Sequence, residues 1–256
     1  LDAGATSLAA FHTLFIGVGV VLFLPLVGPF ARSVERLLPE KGELATQHLD
    51  ESLLAIPAVA LEASQRALEQ VTLRLLRVYG DLLDGADPAT HLTTLQQVEP
   101  LLDQTYDFIS RIETPAADAA NVAKRIALLH AIDHLLRLRG RLHDLAESPA
   151  DLGDPTFHAS VEQSRLLVAM AQEALDHGSP HFDTTLIGNE SAALSEHSLA
   201  ERYQLLGNTP VDSRGASDAL RLTDTLRSLD RIGNHIWRIC HYLSQAGAQD
   251  APPANK

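Results

Sequence analysis

From Leu8 to Phe30 the chain is apolar, broken only by His12 and Thr13, and Arg32 and Arg36 follow at once. A helix rises about 1.5 Å per residue and the hydrocarbon core of a bilayer is about 30 Å thick, so a run of this length can span it. The run predicts one transmembrane helix, which Pro25, Gly28 and Pro29 should bend or end near one face. A buried core helix and a cleaved signal peptide are the competing readings. A signal peptide has a basic start and a short apolar core, whereas here Asp2 precedes a long core and the positive charges come after it. A chain that opens at Leu1 rather than Met is expected to continue upstream.

Beyond Pro39–Gln47, which reads as a polar linker, apolar positions recur with a helical period. A helical pattern resumes at His48, and Pro57 fits an early turn before a long segment from Ala58 to Leu83, closed by Gly85, Asp87 and Pro88. A second helix is predicted from His91 to Ile112, with Pro100 either kinking it or marking its start, and a third from Ala116 to Glu147. The breaker cluster Ser148, Pro149, Asp151, Gly153, Asp154 and Pro155 then divides the remainder into halves. The second half offers helices from Thr156 to His177, between Phe182 and Leu206, and from Asp212 to Gln245, with the last residues, 248–256, read as a disordered tail.

The final helix carries Leu222, Leu226, Leu229, Gly233, Ile236, Cys240 and Leu243, a 4-3-4-3 spacing that builds a bundle seam. Matching Leu136-Arg137-Leu138 to Asp230-Arg231-Ile232 sets Leu128, Ile132, Leu135, Leu142 and Ala146 on Leu222, Leu226, Leu229, Ile236 and Cys240. That agreement in apolar register predicts a duplicated three-helix unit. The fold expected is all-α: one transmembrane helix followed by two three-helix bundles in tandem.

Composition narrows the function. The 256 residues carry a formal net charge of -13 and only 5% aromatic residues. Such an acidic excess argues against nucleic acid or anionic lipid as a partner of the helical part and leaves cations and proteins. Arg32, Arg36 and Lys41 beside the apolar run place its C-terminal side in the cytoplasm by the Lys/Arg bias. The lone Cys240 excludes an intramolecular disulfide framework and suits a reducing compartment.

Candidate chemistry is sparse. Asp230 and Asn234 stand four apart beside the seam and could ligate a metal, with His235 one position on. The plain alternative is a solvated flank on which Asp230 pairs with an arginine. His130 and His134 have the i, i+4 spacing that puts two imidazoles on one metal, although Ala131 stands where a metalloprotease motif has its glutamate. His177 and His181 share that separation across a broken helix, and Asp103 and Asp107 form an acidic pair that can simply face solvent. With no phosphate-cradling glycine loop, nucleophile elbow or Cys/His cluster in the sequence, no enzyme is expected. His12 and Thr13 differ, because polar groups inside a span are costly unless they face protein or water. They are candidates for a transport-associated role, against a plain interhelical hydrogen bond.

The stretch from Phe11-His12-Thr13-Leu14-Phe15 to Phe23-Leu24-Pro25 and Val34-Glu35-Arg36 resembles the last membrane segment of bacterial sodium/phosphate symporters. His48-Leu49-Asp50 through Ile56-Pro57-Ala58 resembles that family's linker into its cytoplasmic domain, and Leu229 to His235 is similar to the glutamate-arginine-isoleucine-glycine-aspartate-histidine signature of PhoU-like domains. The departures are Ile16 in place of an asparagine, Asp230 in place of the signature's glutamate and Asn234 in place of its aspartate. In the first repeat, Leu136 and Gly140 have no ligating side chain, so the resemblance implies at most one weakly bound divalent metal ion.

The resemblance implies a last transmembrane helix over 1–38, a linker over 39–56 and PhoU-like three-helix repeats over 57–148 and 149–247. It implies sodium-coupled phosphate uptake at the inner membrane, with sodium and phosphate as the transported ions and a cytoplasmic domain that regulates transport. Partners would be the upstream transmembrane domain, membrane lipids and a cytoplasmic regulatory protein. The rival expectation is a membrane-tethered PhoU-like signalling or metal-binding protein without transport activity.

Overall fold

The computed structural model describes His12, Phe15 and residues 49–147, 151–176, 182–208 and 213–248. The chain divides into two units, Leu1–Glu43 and Leu44–Lys256. In the first, His12 and Phe15 are helical and exposed, while Thr13 and the rest of the apolar run lie outside the described residues, as does the tail beyond residue 248. Among the described residues no helix is long and apolar enough to cross a membrane.

The second unit is all-helical: α1 (Pro57–Leu83), α2 (Ala89–Arg111), α3 (Ala119–Glu147), α4 (His158–Asp176), α5 (Thr185–Gly207) and α6 (Ser213–Ala248). Aspartates cap the starts of α2, α3 and α5 and of the 3-10 turn Pro155–Phe157 that leads into α4. Asp87 accepts the Ala89 amide at 3.0 Å, Asp118 the Asn121 amide at 3.2 Å, Asp154 the Thr156 amide at 2.8 Å and Asp183 the Thr185 amide at 2.8 Å. Carboxylates placed this way satisfy amides that have no intrahelical partner and oppose the positive end of the helix dipole. Asp50 does the same for Ser52 at 2.7 Å and opens a 3-10 turn over Glu51–Ala55, so the end of the expected linker is ordered. Gly85, with φ of 81°, ends α1: its amide reaches Leu82 and the Ala86 amide reaches Asp81, the paired closure that a left-handed residue permits.

Pro100 sits inside α2 rather than at its start. Just before it, Arg139 of α3 donates to the Leu95 carbonyl at 3.1 Å and pairs with Glu99 at 2.6 Å, bracing the turn that the proline ring crowds. Another cross-helix tie joins α1 and α3, where Lys124, 1% exposed, meets Glu62 at 2.9 Å. An ammonium that deep is tolerated because it is paired and hydrogen-bonded.

Helices α1, α2 and α3 pack on one another, and so do α4, α5 and α6. The two sets meet through α3 against α6, the most extensive helix pair, and through α1 against α4. One apolar core runs through both sets. Leu128, Ile132, Leu135, Leu142 and Ala146 of α3 are buried, as are Leu226, Leu229, Ile236 and Cys240 of α6, with Leu222 packed at the edge. At the far end of α1, Arg165 of α4 donates to the Leu83 carbonyl at 2.7 Å and to Asp84 at 2.9 Å, bringing positive charge to a helix C-terminus.

Gly233 on α6 leaves no room for a side chain. A Cβ there would stand 2.5 Å from Leu194 Cδ2 and 3.3 Å from Leu167 Cδ2, and both leucines are fully buried. Gly140, inside α3, has nothing within 4 Å of such a Cβ. Gly233→Ala should therefore destabilise the fold by about 1–3 kcal/mol through overpacking. Gly140→Ala should stabilise it by about 0.5–1 kcal/mol through helix propensity. Urea unfolding of the two variants beside the parent chain measures both, and equal shifts of the same sign would contradict the packing account.

Candidate functional site

The polar side chains of the α3–α6 contact come together because each helix presents them on one face. His130 and His134 are one turn apart on α3, while His235 and Tyr242 lie seven apart on α6, two turns along the same face. The helices run antiparallel at this point, so His134 meets His235 and His130 meets Tyr242. His134 Nδ1 and His235 Nδ1 are 3.2 Å apart, with ring centroids 5.4 Å apart. Tyr242 stacks on His130 at 4.9 Å and lies nearly parallel to His134 at 5.7 Å, fixing the plane of that ring. His241 meets the edge of Tyr242, Trp237 lies against His241, and the Arg238 guanidinium sits 5.2 Å from the centre of the indole.

Burial sets the charge state of the pair. It pushes His235 down to about 4, helped by the facing His134 and by Arg137 and Arg141, while Asp133 opposes the shift. His134 is lowered for the same first reason, with Asp133 again opposing and Arg238, Arg137 and His130 adding. The Asp133 carboxyl is itself held below its usual range by its hydrogen bond with Arg137 at 3.0 Å. Both imidazoles are thus neutral at pH 7. One ring can donate its Nδ1 proton to the other's lone pair.

The other predicted residues are engaged elsewhere. Asp230 accepts the Ser195 hydroxyl of α5 at 2.5 Å, and the exposed Asn234 accepts Arg238 Nε at 3.1 Å. Asp230, Asn234 and His235 therefore turn to three different partners and do not form a common ligand set. Leu136 and Gly140, at the matching positions of α3, bring no ligating atom, so the residues present do not fit a carboxylate-bound metal cluster. Asp103 and Asp107 are exposed on α2, and His177 and His181 lie outside the described residues. Among the described residues no group of three or more His, Cys, Asp or Glu is placed to hold a metal ion. Cys240, fully buried on α6, has its thiol pushed up to about 12 by burial, which keeps it from acting as a thiolate.

Two further polar places were not read from the sequence. Glu201 of α5 reaches across to the start of α4, where it accepts the Ala159 amide at 2.9 Å and the Ser160 hydroxyl. A cleft of about 690 Å³ opens between the end of α1 and the start of α4, its polar wall formed by Asp84, Asp151, Asp154, His158, Glu162 and Arg165. Arg165 is already paired with Asp84 and Glu162, so this mainly acidic wall is a poor receptor for inorganic phosphate. Of the seam cluster, Tyr242 was missed, although its spacing of seven from His235 carries the signal.

No family model matches the chain, and no curated protein or solved structure is similar enough to count as a match.

The histidine pair ties stability to pH. A histidine whose pKa is lower when folded than when unfolded binds its proton more readily in the unfolded chain. Stability is then full above the unfolded value of about 6.5 and falls as pH drops toward the folded value. In chelator-treated buffer, urea unfolding should show the chain losing stability between pH 7 and pH 4, and His235→Gln should flatten that slope. A slope unchanged in the variant would remove His235 as a cause.

Proposed function

We propose that this chain is the C-terminal part of a sodium-coupled inorganic phosphate transporter, and that its helical unit is a PhoU-like domain that regulates transport rather than an enzyme. The observation that carries this reading is the pairing of helices, first on first and third on third, α1 with α4 and α3 with α6, which agrees with a duplicated three-helix repeat. The burial of Leu226, Leu229, Ile236 and Cys240 at positions that match buried residues of α3 supports the duplication. The segment from Leu229 to His235, which resembles the PhoU-like signature, lies on α6 at that junction. The apolar run Leu8–Phe30 with its basic exit supports the membrane part of the reading.

On this reading the unit acts by binding a cytoplasmic face or partner more tightly in one conformation of the transporter than in another, which shifts the balance between them. Its acidic surface suits a protein or cation better than free phosphate. Sodium and phosphate cross through upstream membrane segments, for which this chain supplies at most His12 and Thr13. The alternative, a membrane-tethered PhoU-like signalling or metal-binding protein without transport, draws on the paired imidazoles of His134 and His235.

Sodium-dependent phosphate uptake by the full-length parent, with and without the residues after Arg36, tests the proposal. Sodium-dependent uptake whose rate or phosphate dependence changes on truncation is expected. Uptake unaltered by truncation would defeat regulation, and absence of uptake by the intact parent would favour the tethered alternative.

A further inference from the structure

The geometry points to a site for a borderline divalent cation, of the Zn²⁺ or Ni²⁺ kind, held between α3 and α6 by the Nδ1 atoms of His134 and His235. It does not rest on the transport reading, and its residues differ from the Asp230 and Asn234 pair of the signature. Zinc–imidazole bonds are about 2.0–2.1 Å long, so two nitrogens on one tetrahedral ion stand about 3.3–3.4 Å apart. The observed 3.2 Å separation falls within a few tenths of an ångström of that edge. Two lone pairs can then meet on one ion with little movement of either helix.

Supporting features surround the pair. Imidazole suits zinc, nickel and copper, and both rings are neutral at pH 7, as ligation requires. Tyr242, nearly parallel to the His134 ring, holds one ligand in plane. Asp133, itself paired with Arg137, acts electrostatically on both rings and offers negative charge against the dication, while Arg137 beside both rings, Arg141 beside His235 and Arg238 beside His134 oppose it. No third His, Cys, Asp or Glu completes the set among the described residues, so the remaining positions fall to water or to an incoming ligand. Binding requires both rings to carry their proton on Nε2, which ends the Nδ1 to Nδ1 hydrogen bond and replaces it with two bonds to metal. The ion would fasten the two three-helix sets across their main contact.

Zinc titration of the untagged full chain against a chromophoric chelator tests the site. One equivalent of Zn²⁺ is expected, weakened by at least about tenfold in His134→Ala and in His235→Ala. The exposed His197→Ala should bind as the parent does. X-ray absorption of the zinc-loaded parent needs no variant and should show two imidazoles about 2.0 Å from the metal. Failure of the parent to take up Zn²⁺ at millimolar free metal, retention of affinity in either folded single variant, or a spectrum without paired imidazoles would overturn the assignment. In either of the first two cases the histidines share a proton only.

Discussion

Everything in the helical unit depends on the contact between α3 and α6. Each set of three helices buries one apolar stripe per helix within itself, yet α3 and α6 remain apolar enough to need a second partner, and they find it in each other. At roughly 25 cal/mol for each Å² of apolar surface removed from water, a long helix–helix contact of this kind outweighs any polar tie in the unit. The smaller contact of α1 with α4 extends the same junction. The two sets consequently share one core.

Polar groups at this junction are admitted on terms the core dictates. His134 and His235 are far enough from water to stay neutral, and they answer each other. Away from that junction, between α1 and α3, Lys124 is deeper still and is held by Glu62. On the side of α6 that faces α4 and α5, Gly233 leaves room for Leu194 and Leu167. The acidic excess, read in the sequence as a statement about partners, has a second use in the fold: aspartates before the turns and helices satisfy amides at their starts.

Much of the architecture was legible, because helical periodicity and breakers are local. α1 begins one residue before the expected segment and ends with it, and α3 differs only at its start. Pro100 was ambiguous since a proline inside a helix needs a neighbour to stabilise the disturbed turn, and that neighbour, Arg139, is 39 residues away. The candidate site was legible in pieces. Asp230 and His235 are close in sequence, but five residues turn a helix by about 140° beyond one full circuit, which sends the first toward α5 and the second toward α3. His134 was visible as half of an i, i+4 pair with His130, yet its true partner is set by the meeting of two helices, which no local pattern records.

The order of the chain adds a consequence for biosynthesis. α3 is complete at Glu147, whereas α6 ends at Ala248, about 100 residues later. At the usual elongation rates the face of α3 that α6 covers waits on the order of 5–20 s for its partner. During that interval a nascent chain presents a long apolar stripe to whatever is near the ribosome, the kind of transiently exposed surface that invites aggregation.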